Sequence, residues 1–251
     1  MTLIIGMYYD NKKGALIASD SRIAEEYHIL KPIQKIIPIQ DIFIALSGTA
    51  TASDMIVEKI GKNLKKTKDS TKIRDAVQQA YLDSKSAYIE GNKSLSTSKK
   101  FDCSGMFGFY SGKPELFRIL DDEEEILSPA YDDILVNGQE DSYVRGILKT
   151  LYREEISKEE AIRNVIYSMM RVTEFNVGID ENIQIATIDE KGTKILNYEK
   201  ERFNFQKPEF EEIKKQMKSV ANLQRIALHT LINGREEDKS RLEQLLSEID
   251  Q

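Results

Sequence analysis

Two pairs of helical patterns, placed between runs of short strands, constrain the fold of this chain more than any other feature. Apolar residues recur at helical spacing from about residue 51, from 71 to 90, from 141 to 153 and from 158 to 172. Strand-sized apolar or alternating runs precede, separate and follow these pairs. Helices that come in pairs suit the outer faces of two stacked antiparallel sheets, because each sheet must bury both of its apolar faces. The sequence therefore predicts an α+β fold, a four-layer αββα sandwich.

The strands are predicted from their alternation and from the turns between them. Asp10 to Gly14 is a polar segment that ends in glycine, and it indicates a hairpin between strands near residues 2–9 and 15–18. Further strands are predicted at residues 35–38, 42–46, 101–110, 115–120, 124–127, 182–188 and 193–198. Ser157 and Glu160 have the spacing of a capping box and predict the start of the fourth helix.

A second part of the chain is predicted after residue 205. From Pro208 an apolar stripe at helical spacing continues to about residue 231, and a shorter apolar pattern follows Asn233-Gly234. We therefore divide the chain into a sandwich domain, residues 1–205, and a C-terminal helical hairpin, residues 206–251. Such a hairpin is most often a packing or oligomerisation element. The alternative is an appendage that engages substrate.

Composition argues against several classes of function. The net charge of −6 gives no indication of a nucleic acid or an anionic membrane as partner. No apolar run is long enough to span a bilayer. Cys103 is the only cysteine, so no disulfide within the chain is expected, and it is predicted to be a core residue. One cysteine and two histidines are too few for a zinc site, and no metal or cofactor is expected. The start of the sequence has no secretory signal, which predicts a cytoplasmic protein.

Thr2 has the chemistry of a nucleophile with a built-in base. Methionine aminopeptidases generally remove Met1 when the second residue is small, which would leave Thr2 with a free α-amine. The ordinary pKa of such an amine is about 7.7–8.0, so a useful fraction is neutral near pH 7 and can accept the hydroxyl proton. Many cytosolic proteins begin with Met-Thr, so this prediction depends on the residues that follow.

The residues after Thr2 match, in order, the motifs of a known family. Thr2 to Gly6 opens the first strand, Asp20-Ser21-Arg22 ends the second, residues 31–36 end in Lys-Ile, and Ser47-Gly48 through Ser53-Asp54 pass from strand to helix. This arrangement resembles the β-subunits of the 20S proteasome and the related bacterial proteasome-like peptidases, which are N-terminal-nucleophile hydrolases. The resemblance covers residues 2–200 in element order and is motif-specific in the first 55. It implies the same αββα fold.

The resemblance also implies roles for five residues. Thr2 would be the nucleophile, and its amine would take the hydroxyl proton directly or through a water. Lys35 would lie beside the hydroxyl as a cation that lowers the pKa of the hydroxyl and of the amine, and Asp20 would pair with Lys35. Arg22 would brace the loop near the N-terminus. The backbone N–H of Gly48 would face the developing oxyanion, a donor whose loss typically costs about 10²–10³ in rate.

Two turns depart from the family pattern. Active members usually carry a serine in a Gly-Ser-Gly turn before the third helix, where this chain has Gln139. They also carry an Asp-x-x-Ser-Gly turn after the fourth helix, where Asn176 replaces the aspartate and no serine follows three residues on. Gln139 and Asn176 are therefore the candidates to support the threonine amine, because both can supply acceptors for an ammonium.

By the same resemblance, six residues are expected to line the substrate pocket: Ile23, Ile33, Ile37, Leu46, Ala50 and Asp54. The apolar members imply an apolar or branched substrate side chain. Asp54, at the far end of the pocket, implies a basic one instead, and both alternatives stay open.

The resemblance predicts a threonine-type peptidase or amidohydrolase that acts on a peptide or amide bond through an acyl-enzyme on Thr2. Two alternatives stay open. One is a proteasome-related protein ligase, similar to the connectases, which passes the acyl group to an amine. The other is a non-catalytic structural or binding subunit with the same fold. The expected partners are a peptide or protein substrate and further copies of the chain, in a ring or a dimer.

Overall fold

The structure is a computed structural model of the chain. It describes residues 2–21, 24–25, 28–29, 33–92, 100–120, 126–138, 140–173, 176, 179, 182–196, 198–199 and 202–203. Several predictions fall outside these residues, namely Arg22, Ile23, Gln139 and the C-terminal helical hairpin, residues 206–251.

The first sheet is antiparallel and has five strands, numbered here by their order in the chain. In spatial order they are Ile134–Gly138 (β10), Leu3–Tyr9 (β1), Gly14–Asp20 (β2), Ile183–Asp189 (β11) and Gly192–Ile195 (β12). Almost every residue of β1 and β2 is buried, because these strands lie inside the sheet and both faces of the sheet are covered.

The second sheet is also antiparallel and has five strands. In spatial order they are Ile36–Ile39 (β5), Ile42–Gly48 (β6), Cys103–Tyr110 (β7), Pro114–Ile119 (β8) and Leu127–Pro129 (β9). Two short hairpins lie outside both sheets: Ala24–Glu25 (β3) pairs with His28–Ile29 (β4), and Tyr198–Glu199 (β13) pairs with Arg202–Phe203 (β14).

Four helices cover the outer faces of the two sheets in the described part of the chain. Ala50–Asn63 (α1) contacts β5 and β6 and packs against Ser70–Asn92 (α2). Asp141–Leu151 (α3) contacts β10, and Lys158–Thr173 (α4) contacts β1, β2 and β11. The predicted four-layer sandwich is therefore confirmed. Among the described helices, none combines the length and the apolar character that a membrane span requires.

Alternation along β6 shows how one strand contributes to two different apolar cores among the described residues. Phe43 and Ala45 belong to the core between the sheets, whereas Ile44 and Leu46 belong to the core beneath α1 and α2. Cys103 is fully buried in the second of these cores, so its predicted structural role is confirmed.

The capping box at the start of α4 is confirmed. Ser157 Oγ accepts from the Glu160 backbone N–H at 3.3 Å, and Glu160 Oε2 accepts from the Ser157 N–H at 3.1 Å. The two side chains thus satisfy backbone donors that the first turn of a helix would otherwise leave unpaired.

The predicted strands differ from the structure at β9 and β10. β9 is Leu127–Pro129, whereas the predicted strand was 124–127, of which residues 124 and 125 lie outside the described residues, and β10 is not among the predicted strands. Through the family resemblance, Asn137 and Gly138 match the start of the turn before the third helix. In the structure these two residues pair with Ile4 and Leu3 of β1 and form the end of β10.

Candidate active site

Thr2, Asp20 and Lys35 meet at one end of the sandwich. Thr2 lies directly before β1, Asp20 is the last residue of β2, and Lys35 lies directly before β5 of the second sheet. Lys35 Nζ donates to Thr2 Oγ1 at 3.1 Å and to Asp20 Oδ2 at 2.8 Å. Thr2 is 8% exposed, Lys35 6% and Asp20 0%. The structure therefore places a buried cation on the threonine hydroxyl and a buried carboxylate on the cation.

Asp20 joins both neighbours of the hydroxyl. Its Oδ1 accepts the backbone N–H of Leu3 at 3.0 Å, while its Oδ2 accepts from Lys35. The carboxylate thus fixes the backbone next to Thr2 and the ammonium that faces it. Because these charges lie in a poorly hydrated site, the ammonium stabilises negative charge on the hydroxyl oxygen more strongly than it would in water.

Gly138 is required beside Thr2 by close packing. It pairs with Leu3 at the end of β10 and has φ of +110°. A Cβ at this position would lie 2.0 Å from the carbonyl oxygen of Thr2. Only glycine fits such a contact and such a φ without strain, so the first strand depends on Gly138 for the position of its first residues.

Gly48 lies at the same end of the second sheet as Lys35. β5 and β6 are antiparallel neighbours with Ile36 paired to Ala45, so the start of β5 and the end of β6 are adjacent. Gly48 has φ of +116°, and a Cβ there would lie 2.2 Å from the carbonyl oxygen of Asp102. The position demands glycine for conformational reasons alone, and its role as an oxyanion donor stays a prediction.

Gln184 contacts this site but is absent from the residues predicted from the sequence. It lies on β11, is 3% exposed, and its Oε1 accepts the backbone N–H groups of Lys35 at 2.9 Å and Ile36 at 3.1 Å. One signal could have found it. Gln184 is a long amide between Ile183 and Ile185 in a strand that is otherwise apolar at this end, and a buried polar side chain requires partners.

A second polar contact joins the two sheets. Asn137 Nδ2 of β10 donates to Ser104 Oγ of β7 at 3.1 Å.

Asn176, predicted to support the amine, donates through Nδ2 to Glu140 Oε1 at 3.3 Å, and Glu140 has a left-handed backbone with φ of 61°. The supporting role of Asn176 stays a prediction.

The described members of the predicted pocket fall into two groups. Ile37 and Leu46 pack in the apolar core beneath α1, with Leu46 8% exposed. Ile33 is 37% exposed, and Ala50 and Asp54, both on α1, are exposed as well. The three exposed side chains are available to a substrate, and the pocket role of all five stays a prediction.

A cavity of about 870 Å³ lies away from this site. It is lined by Tyr9, at the far end of β1, by the tips of three hairpins and by the start of α4. The seven residues of β1 separate it from Thr2 by about 23 Å. Its five lysines face four acidic residues, so its charge favours no class of ligand. Among the described residues, no cluster of three or more His, Cys, Asp or Glu side chains is arranged to hold a metal ion.

The fold and the site together define a proteasome-like chain of the N-terminal-nucleophile type. The family model described as "Proteasome subunit" matches residues 2–188. The chain therefore belongs to the proteasome subunit family, as its resemblance to the β-subunits predicts.

A solved structure has the same fold. It is a Gly-1 mutant of Anbu from Hyphomicrobium sp. strain MC1, with a TM-score of 0.68 over 88% of this chain and 95% of that chain. The two sequences are 16% identical, so the likeness extends to the fold alone. A search of curated proteins found no match to the sequence.

Proposed function

We propose that the chain, once Met1 is removed, is a threonine-type peptidase or amidohydrolase that forms an acyl-enzyme on Thr2. One observation carries this proposal: Lys35 Nζ lies 3.1 Å from Thr2 Oγ1 and 2.8 Å from Asp20 Oδ2, with all three residues buried. A surface lysine would be hydrated and free to rotate. A buried and paired lysine is an oriented charge that acts on the hydroxyl without reorganisation.

In the proposed reaction the Thr2 oxygen attacks the carbonyl carbon of the scissile amide, while the hydroxyl proton passes to the α-amine. The tetrahedral intermediate collapses to an ester on Thr2 when the leaving nitrogen takes that proton and departs as an amine. Water then attacks the ester in the same manner, which releases a carboxylic acid and restores the hydroxyl. The Gly48 N–H is proposed to donate to the oxyanion in both steps.

Family membership supports the reaction class and the assembly. Proteasome subunits are generally hydrolases, and members of the family typically assemble into oligomers. We propose that this chain acts on peptides or proteins and self-associates in a ring or a dimer. The sequence departures at the two turns, where Gln139 and Asn176 stand in place of the family's serine and aspartate, are compatible with this proposal because Lys35 contacts the Thr2 hydroxyl and Asp20 contacts Lys35.

Intact mass after treatment with two electrophiles tests the proposal. A β-lactone acylates a hydroxyl by ring opening, so one molecule should add to Thr2 with its whole mass. A peptide epoxyketone needs both the hydroxyl and a free α-amine, because its carbonyl carbon takes the oxygen and its epoxide carbon takes the nitrogen. Both reagents should label the mature chain once, and peptide mapping should place each adduct on Thr2.

Three variants provide the controls. Thr2→Ala should remove labelling by both reagents, whereas Thr2→Ser should keep part of it because the hydroxyl and the amine remain. Thr187→Ser alters a different buried threonine, in β11, and both reagents should label this variant as they label the unaltered chain. Quantitative retention of Met1 in the native host, or labelling that persists in Thr2→Ala, would contradict the proposal.

The same acyl-enzyme allows two fates, and one experiment separates them. After acylation by a peptide substrate, an added peptide with a free N-terminal amine competes with water for the ester. Hydrolysis gives only the free acid, whereas a ligase gives the joined peptide. A chain that binds substrate but forms no acyl-enzyme in either condition would be a non-catalytic subunit.

A further inference from the structure

We propose that Gln184 is a positioning residue that fixes the Lys35 ammonium on the Thr2 hydroxyl by holding the Lys35 backbone to the first sheet. The inference rests on the proposed function, because it concerns the cation that activates Thr2. Gln184 is separated from Lys35 by 149 positions in the chain and meets it only through the stacking of the two sheets.

The amide of Gln184 has a partner for each of its polar atoms. Oε1 accepts the N–H groups of Lys35 and Ile36, and Nε2 donates to the carbonyl oxygen of Ile33. The orientation of the amide follows from chemistry, since two backbone N–H donors face one atom and a backbone acceptor faces the other. Gln184 thus clamps residues 33–36 at three points.

This clamp replaces the hydrogen bonds that a sheet would supply. β5 is an edge strand, and its ladder with β6 begins at Ile36, so Lys35 precedes the regular pairing. Unpaired N–H groups in a buried position are unfavourable. Gln184 pairs them and so fixes the backbone from which the Lys35 side chain extends.

The described contacts of Lys35 with Thr2, Asp20 and Gln184 come from neighbouring strands of the first sheet or from residues directly beside them. Thr2 precedes β1, Asp20 ends β2, and Gln184 lies on β11, with Ile183 of β11 paired to Asp20. Asp20 binds the ammonium end of Lys35, and Gln184 binds its backbone end. A flexible side chain is therefore held at both ends by the same rigid sheet that carries the nucleophile, which sets the distance from Nζ to Oγ1.

The test compares Gln184→Met with a matched control in the same strand. Methionine has a similar length and volume and fits an apolar environment, but it can neither accept from Lys35 nor donate to Ile33. Thr187→Val removes a different buried polar group of β11, whose hydroxyl contacts the Lys194 carbonyl. Any loss that comes from altering a buried position of β11 in general should appear in both variants.

Labelling kinetics with a β-lactone give the decisive readout. A small misplacement of a catalytic group costs up to about 100-fold, so the maximal labelling rate in Gln184→Met should fall by about 10- to 100-fold. The half-saturating concentration should change less than the maximal rate, because the contact between Gln184 and the predicted pocket residue Ile33 is to its backbone carbonyl and leaves the Ile33 side chain in place. Thr187→Val should change neither quantity. An unchanged maximal rate in Gln184→Met overturns the inference, as does an equal loss in both variants.

Crystal structures of the unaltered and Gln184→Met proteins keep the two proposals apart. If the unaltered chain is labelled and Gln184→Met is labelled equally fast, the inference fails and the proposed function stands. If neither is labelled, the proposed function fails, and the structures still test the positioning. Lys35 Nζ within hydrogen-bond distance of Thr2 Oγ1 in Gln184→Met would overturn the inference. Gln184→Asn, one methylene too short to reach both N–H groups, replaces Gln184→Met if that variant does not fold.

Discussion

Removing the Lys35 ammonium should destabilise the fold far more than removing the whole charge pair. Lys35→Met keeps an unbranched apolar stem but takes away the partner that lies 2.8 Å from Asp20 Oδ2. Asp20 is 0% exposed and Lys35 6% exposed, so water cannot replace the ammonium. Breaking a buried pair by removing one member costs about 3–5 kcal/mol, and we expect a loss in that range.

The double variant Asp20→Asn/Lys35→Met separates the buried charge from the rest of the site. Asparagine keeps an acceptor for the Leu3 N–H that Asp20 Oδ1 accepts at 3.0 Å, and no uncompensated charge remains. Replacing a buried ion pair by neutral groups is often close to neutral, so the double variant should lie within about 2 kcal/mol of the unaltered chain. It should therefore be more stable than Lys35→Met, although it has one more substitution.

Urea denaturation at pH 7, followed by circular dichroism, measures the three free energies of unfolding. Lys62→Met is the matched surface control, because Lys62 pairs with Glu58 where both side chains are more than half exposed, and its effect should be much smaller. Neither Lys35→Met nor the double variant should be labelled by a β-lactone. A Lys35→Met protein within about 1 kcal/mol of the unaltered chain, or a double variant less stable than the single one, would refute the reasoning.

Three further predictions test other parts of the chain. Gly138→Ala should lose more than about 2 kcal/mol of stability and all β-lactone labelling, because the backbone has a positive φ and the added Cβ would collide with the Thr2 carbonyl oxygen. Its control is Gly146→Ala in α3, where the space around the glycine is open, and this variant should be neutral or stabilising. Urea denaturation and intact mass check both. Burial alone would raise the pKa of Asp189, but hydrogen bonds from Lys158 and a backbone N–H outweigh it and lower that pKa. Because the folded pKa is the lower one, the stabilisation is present at neutral pH and is lost as the pH falls through it. Asp189→Asn should therefore lose at most about 1 kcal/mol at pH 7 and progressively less as the pH falls below the ordinary aspartate range, as a pH series of thermal melts would show. Ending the chain after residue 205 should leave a core that a β-lactone still labels, but it should lower the oligomeric state or the solubility. Size exclusion with light scattering measures this change. An unchanged mass with lost substrate turnover would instead make the C-terminal part a substrate-engaging element.

The element order could be predicted from sequence because it depends on local periodicity. The helices α1 to α4 and the strands of both hairpins in the first sheet lie within a few residues of their predicted positions. Alternation with period two and helical spacing are properties of consecutive residues, so no knowledge of distant contacts is needed. Where a distant partner decides the conformation, local periodicity is not enough: β10 was not among the predicted strands, and the structure pairs it with β1.

The candidate site could be predicted in part, through the order of its motifs. Thr2, Asp20 and Lys35 lie in the first 35 residues and were named from the resemblance, and the structure brings their side chains together. Gln184 has no motif and lies 149 positions from Lys35. Its partners are backbone groups, which any residue type supplies, so the contact between Gln184 and residues 33–36 could not be predicted from the sequence.

The sequence by itself therefore determines which segments form strands and helices, which faces of them are apolar, and which residue types are available for chemistry. Only the tertiary structure decides which ends of the strands meet. The stacking of two sheets places Lys35 of one sheet against Thr2, Asp20 and Gln184 of the other, and it excludes water from the contact. The physical reason is that burial and hydrogen-bond geometry belong to pairs of residues in space, whereas periodicity belongs to neighbours along the chain.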